Sequence, residues 1–180
     1  MSQLDTATLA GGCFWCTEAI FQRLKGVNAV IPGYASSKVP DPSYKDVCSG
    51  RTGAAEAVQI IYDPSIISYD KLLEIFWHLH DPTTLNRQGN DVGTQYRSAV
   101  YYRNDEQKQV ALAVKKDIEK SGIYRDPIVT EISPFINFYP AEDYHRDYYD
   151  RNRAQPYCMF VIEPKVQKLL KEYSRDLQQS

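Results

Sequence analysis

Six periodic segments follow one another in the order strand, helix, strand, strand, helix, strand, and this order restricts the folds open to the chain. Residues 6–10 (TATLA) read as a strand. Residues 16–25 (CTEAIFQRLK) set Ala19, Ile20 and Leu24 at helical spacing, and Gly26 stops them. Residues 27–35 (VNAVIPGYA) read as a broken strand, and 54–64 (AAEAVQIIYDP) as a strand ended by Asp63-Pro64. The stretch 68–80 predicts an amphipathic helix, with Ser68 as N-cap and Leu72, Ile75, Phe76 and Leu79 on one face. Residues 97–103 (RSAVYYR) supply the sixth segment, a strand. This is the plan of an α+β, ferredoxin-like (split βαβ) sheet with helices on one face.

More elements follow. A helix is expected over 104–121, capped by Asn104 and ended by Gly122, then a strand within 127–135. Residues 141–153 read as irregular or short helical, and 157–164 (YCMFVIEP) as a last strand or a buried stretch. A closing helix has Pro164 in its first turn. The sheet is thus extended by C-terminal loops and a helix. Two polar stretches, 36–54 and 81–96, read as long loops, and long loops in small domains are often functional. No repeat or shift of composition divides residues 1–180, which are expected to form a single catalytic domain.

Composition excludes several classes. The net charge is −2, so nothing draws the whole chain to nucleic acid or anionic lipid. No apolar run approaches the ~20 residues of a membrane span, and no secretory leader is legible, so a cytoplasmic location is the expectation. Four cysteines are too few for a disulfide scaffold. A close pair in a reducing compartment points instead to redox chemistry or metal.

That pair is Cys13 and Cys16, in GGCFWCTE at 11–18. Cys13 stands where a strand passes through two glycines into a helix. Backbone N–H groups at a helix start favour thiolate, so Cys13 is the best candidate nucleophile. Cys16 lies one turn on, at about 5–6 Å Cβ separation, close to disulfide reach. Zinc would need two more ligands; Cys48 and Cys158 are isolated, and His78 and His80 cannot face one point, so no metal is expected. Phe14 and Trp15 are either core or the walls of an apolar pocket. His145, in DYHRDY, has no assigned role.

Four ordered stretches then resemble one family. GCFWCTE (12–18) resembles the G-C-F-W-x-x-E signature of the peptide methionine sulfoxide reductase A family. YKDVCSGRTGAAEAV (44–58), GNDVGTQYRS (89–98), and DYHRDY (143–148) with YCMFVIEPK (157–165) are similar to its later segments. The resemblance implies thiol-dependent reduction of the S epimer of methionine sulfoxide, free or in proteins, with no cofactor; a monomer is the default expectation. Cys13 would attack the sulfoxide sulfur, and Phe14 and Trp15 would hold the substrate methyl group. Glu56 would protonate the oxygen, helped by Tyr44 and Tyr96, with Asp91 lining the site. A sulfenic acid at Cys13 would become a disulfide, to be reduced by a thioredoxin-like dithiol.

Two departures stand out. The family commonly has His where this chain has Ala55, which a strand would turn away from Glu56. Many members also have Gly at the place of Cys16 and resolve through C-terminal cysteines. Here Cys16 is the expected resolving thiol, Cys48 the runner-up, and Cys158 reads as buried. A thioredoxin-like dithiol oxidoreductase and a non-catalytic sulfoxide- or peptide-binding module are the alternatives. The first gives no role to Phe14 and Trp15, and the second none to the thiols.

Overall fold

The computed structural model describes residues 3–178. Strand β1 (Asp5–Gly11) lies at the middle of a six-stranded sheet and is antiparallel to both neighbours, β3 (Ala55–Tyr62) and β6 (Ser98–Tyr102). Beyond β3 come β2 (Val27–Ala35) and β8 (Phe138–Pro140), both antiparallel. Beyond β6 comes β7 (Glu131–Pro134), the one parallel neighbour. The order is β7-β6-β1-β3-β2-β8. A separate two-stranded ribbon, β4 (Arg87–Gln88) and β5 (Asp91–Val92), sits inside the second polar loop.

Alternation along the strands assigns the two faces. Ala7, Leu9, Val30, Tyr34, Val58, Ile60, Tyr62 and Val100 join the main core under the helices. Ala10, Ala35, Ala55, Ala57, Ala99 and Tyr101 form a thinner cluster on the other face, with Phe135 and Phe138 packed against it. Ala55 and Glu56 therefore point to opposite faces, as the strand period requires.

Helix α3 (Tyr69–His78) begins at Ser68, whose hydroxyl accepts from the Lys71 N–H at 3.1 Å. It buries Leu72, Leu73, Ile75, Phe76 and Trp77, of which the aliphatic and phenyl groups contribute roughly 1.5–3 kcal/mol each. Helix α4 (Asp105–Ser121) is capped by Asn104 and ends on Gly122 in the left-handed region.

Helix α1 (Phe14–Phe21) is short and buried at all but one position, which is the mark of a helix enclosed on both sides. The sheet lies on one side of it. On the other, Cys16 and Ala19 pack with Tyr149, Cys158, Ile162 and Val166. That second layer comes from the C-terminal part of the chain: α5 (Tyr148–Arg151), a π-helical turn at Cys158–Ile162, and α6 (Glu163–Glu172). Arg23, just after α1, pairs with Asp150 at 2.6 Å and fastens the layer down.

The structure corrects three expectations. Residues 157–162 are helical and not a strand: Cys158 and Ile162 are buried four apart while Met159 and Phe160 are exposed. The loop 36–54 contains a helix, α2 (Tyr44–Cys48), closed by a capping box between Ser43 and Asp46. Strand β2 is continuous, with one register shift between Val27 and Ala29. No helix among the described residues is long and apolar enough to cross a membrane.

Candidate active site

The site begins where β1 runs out. Gly12 has φ +92°, and a Cβ there would come within 2.7 Å of the Gln88 side chain, so glycine alone fits under the β4–β5 ribbon. Cys13 follows as the N-cap of α1, with extended backbone, and its carbonyl accepts from the Cys16 N–H at 3.0 Å. Cys13, Cys16, Asp91, Tyr157, Phe160, Val161 and Lys165 line a cleft of about 410 Å³.

Glu56 approaches from β3, opposite Tyr34 in register. Its Oε1 accepts from the Phe14 N–H at 3.2 Å, while its buried Oε2 has no hydrogen-bond partner. Burial pushes this carboxyl up to about 8; the Phe14 N–H opposes the rise and the Asp91 charge adds to it. At neutral pH Glu56 therefore holds a proton.

Cys13 departs from the expectation of a lowered thiol. Burial, then the Glu56 and Cys16 charges, raise it well above the usual range, and the Trp15 N–H and Tyr157 hydroxyl offset only part of this. The helix start is present, but 7% exposure removes the solvation a thiolate needs. Cys16, 2% exposed, is raised by burial in the same way.

The aromatic wall is built from distant segments. The Phe14 ring centroid lies 5.7 Å from Tyr34, 6.4 Å from Tyr44 and 5.0 Å from His145. The Trp15 ring stacks on Tyr148 at 3.7 Å and 7°, and its Nε1 donates to His145 Nδ1 at 3.0 Å. That bond leaves the proton of neutral His145 on Nε2, where burial also disfavours the cation. Glu142 braces the wall from behind: Tyr34 Oη donates to its Oε1 at 2.8 Å and the Tyr44 N–H to its Oε2 at 2.9 Å. The phenols of Tyr44 and Tyr96 are raised by burial and then by the Glu56 charge, so both remain protonated.

All the residues expected at the site thus converge: Cys13, Cys16 and Asp91 on the cleft, Phe14, Trp15 and Tyr44 in the aromatic wall, Glu56 and Tyr96 beside them. The other two thiols divide. Cys158 is fully buried in the apolar cluster that holds Cys13 and Cys16, whereas Cys48 is exposed at the end of α2, against the Tyr44 hydroxyl. Sequence reasoning gave no role to Tyr157, which donates to Asp91 Oδ2 at 2.5 Å and lines the cleft with both cysteines. Its place just before an apolar run misread as a strand hid it. It also missed Glu18, a buried carboxyl on α1 that accepts from the Asp147 N–H at 3.1 Å and fixes the segment carrying His145 and Tyr148. Among the described residues no group of His, Cys, Asp and Glu is arranged to hold a metal ion.

Comparison with known proteins gives a consistent result. The family model for peptide methionine sulfoxide reductase matches residues 5–178. The MsrA of Saccharolobus solfataricus is 56% identical over 168 residues, 93% of this chain and 94% of that protein. The MsrA of Thermus thermophilus is 53% identical over 169 residues, 94% of this chain and 95% of its own. Among solved structures, reduced Mxr1 of Saccharomyces cerevisiae superposes with a TM-score of 0.79 at 36% identity, covering 87% of this chain and 90% of that one. Methionine sulfoxide reductase A of Corynebacterium diphtheriae gives 0.74 at 34% identity, covering 84% and 76%. With its thiol, its buried acid and its aromatic wall in place, the chain belongs to the peptide methionine sulfoxide reductase A family and is an oxidoreductase of that class.

Proposed function

We propose that the protein reduces the S epimer of methionine sulfoxide, free or in polypeptides, to methionine. The observation that carries the reading is the Glu56 carboxyl: buried, protonated at neutral pH, tied to the Phe14 N–H beside Cys13, and presenting an unpartnered Oε2. Sulfoxide oxygen leaves sulfur only after it takes up a proton, and Glu56 is built to give one. Trp15, held flat by Tyr148, and Phe14 offer the apolar surface for the methyl group. Tyr44 and Tyr96 steady the oxygen as charge develops on it.

In the first step the Cys13 sulfur bonds to the sulfoxide, whose oxygen receives the Glu56 proton. Once Glu56 has released its proton, its carboxylate takes up the thiol proton of Cys13. Transfer of the OH to Cys13 releases methionine and leaves a sulfenic acid. Cys16 then displaces the OH as water and closes a Cys13–Cys16 disulfide, which an external dithiol of the thioredoxin type reduces. A solved relative, Mxr1 of Saccharomyces cerevisiae, has been captured in complex with Trx2, which supports a reductant of that type (TM-score 0.57, 26% identity, covering 81% of this chain and 85% of that one). No cofactor or metal enters these steps, and the working unit is a monomeric single domain of the cytoplasm. We read its four central strands, in the order β6-β1-β3-β2, as a split βαβ sheet.

The test is a single turnover without reductant, with L-methionine-S-sulfoxide and its R epimer, followed by mass spectrometry of the cysteines. Methionine from the S epimer alone with a Cys13–Cys16 linkage is the expected result. No product from either epimer sinks the reading and favours plain dithiol exchange.

A further inference from the structure

Lys165 stands in the first turn of α6 and is the one basic side chain among the residues lining the Cys13 cleft. It also borders the narrow interior gap on the other flank of Cys16, with Gly11, Thr17 and His80. Among the described residues it forms neither an ion pair nor a side-chain hydrogen bond. An unpaired ammonium against a cleft that holds two cysteines has a vacancy for an anion.

Its placement depends on the π-helical turn. In an unbroken α-helix, residues eight apart lie about 80° apart around the axis. The turn at Cys158–Ile162 acts as a one-residue insertion and cancels most of that drift. Tyr157 and Lys165 thereby face the same cleft, with Phe160 and Val161 between them.

Cys16 is where the anion is needed. It is buried among Ala19, Tyr149, Cys158, Ile162 and Val166, which cannot solvate a thiolate. The groups that bear on it are the Lys165 charge and the Tyr157 hydroxyl, which favour thiolate, and Asp91, Cys158 and the neighbouring Cys13, which oppose it. Asp91 is itself engaged by the Tyr157 hydroxyl. Lys165 is the one positive charge among these groups.

We propose that Lys165 is a positioning residue for the resolving step, favouring the Cys16 thiolate as it forms to attack the Cys13 sulfenic acid. The proposal rests on the reading of Cys16 as resolving thiol. In the step, the Cys16 thiolate bonds to the Cys13 sulfur and the S–O bond breaks. The hydroxide that leaves takes up a proton equal to the one Cys16 released, and departs as water. The oxygen came from the sulfoxide, so no further oxidant is required. Lys165 keeps its proton throughout.

The experiment is a quenched single turnover with L-methionine-S-sulfoxide, no reductant, and dimedone to trap sulfenic acid. In Lys165→Met, disulfide closure slows about tenfold relative to methionine release at pH 7, the effect of one unit on a thiol titrating above that pH. Trapped Cys13 sulfenic acid accumulates, the pH profile of closure moves to higher pH, and Lys165→Arg restores it. Closure in Lys165→Met at the wild-type rate, with an unmoved pH profile, overturns the proposal. So does a rise in KM for the free amino acid with closure unchanged, which would make Lys165 a reader of the substrate carboxylate. A Cys16→Ser variant separates the two claims: disulfide formation there at the wild-type rate removes Cys16 as resolver, and the role of Lys165 with it.

Discussion

A Glu56 carboxyl oxygen and the Phe14 N–H meet at 3.2 Å across 42 residues of chain, and this bond joins Glu56 to the helix that Cys13 caps. Glu56→Gln keeps an acceptor for that N–H and removes the proton. Steady-state turnover is expected to fall by roughly 10²–10⁴-fold. Thermal unfolding near pH 4.5, where Glu56 is protonated folded and unfolded alike, should scarcely change. A turnover loss under tenfold would take the acid role away from Glu56.

The same carboxyl sets a pH limit. Its folded value is raised to about 8, so it is protonated below that and methionine formation in a single turnover declines as pH rises through about 8. The sign for stability is also fixed. A raised group contributes stability fully below its unfolded value near 4.5 and loses it as pH rises through about 8. Glu56→Gln should therefore match the wild type near pH 4.5 and be the more stable protein at pH 9, by on the order of a few kcal/mol. Denaturant midpoints at the two pH values measure this; equal midpoints at pH 9 would contradict it.

Trp15 depends on its stacking partner. Removing the ring in Tyr148→Ala withdraws roughly 0.5–1.5 kcal/mol of aromatic contact. KM for methionine sulfoxide should rise roughly 2- to 10-fold with kcat changed far less, since on the proposed reading the wall binds the methyl group and does no proton transfer. A matching fall in kcat would show that the wall also aligns the reacting atoms.

Gly12→Ala tests the turn into the site. At φ +92° a Cβ costs about 1–2 kcal/mol in backbone strain, and it also displaces Gln88 and with it the ribbon that carries Asp91. The expected outcome is a lowered melting temperature together with lowered activity. A melting temperature equal to that of the wild type would argue against it.

Much of this site was legible because its signals are local. Ser68, Asn104 and Gly122 announce their helix ends within a few residues. The strand, two glycines and helix around Cys13 do the same. What failed was information carried by packing. The run from Tyr157 to Ile162 is β-prone by residue type, and only its contacts with Cys16 and Ala19 make it helical. Helix α2 is five residues long, too short for a period to show. The thiol of Cys13 was judged from its helix start alone, while burial, and then Glu56 brought in from a distant strand, reverse the direction.

Helix α1 lies between the sheet and a layer formed by residues 148–172, so it is closed over by a segment far along the chain from it. Translation runs from the N-terminus at ~5–20 residues per second. Roughly 7 to 30 seconds therefore separate emergence of Cys13 and Cys16 from arrival of the segment that covers them. During that interval the pair is an open dithiol on a nascent chain, and the cleft closes only after residues 148–172 have been made.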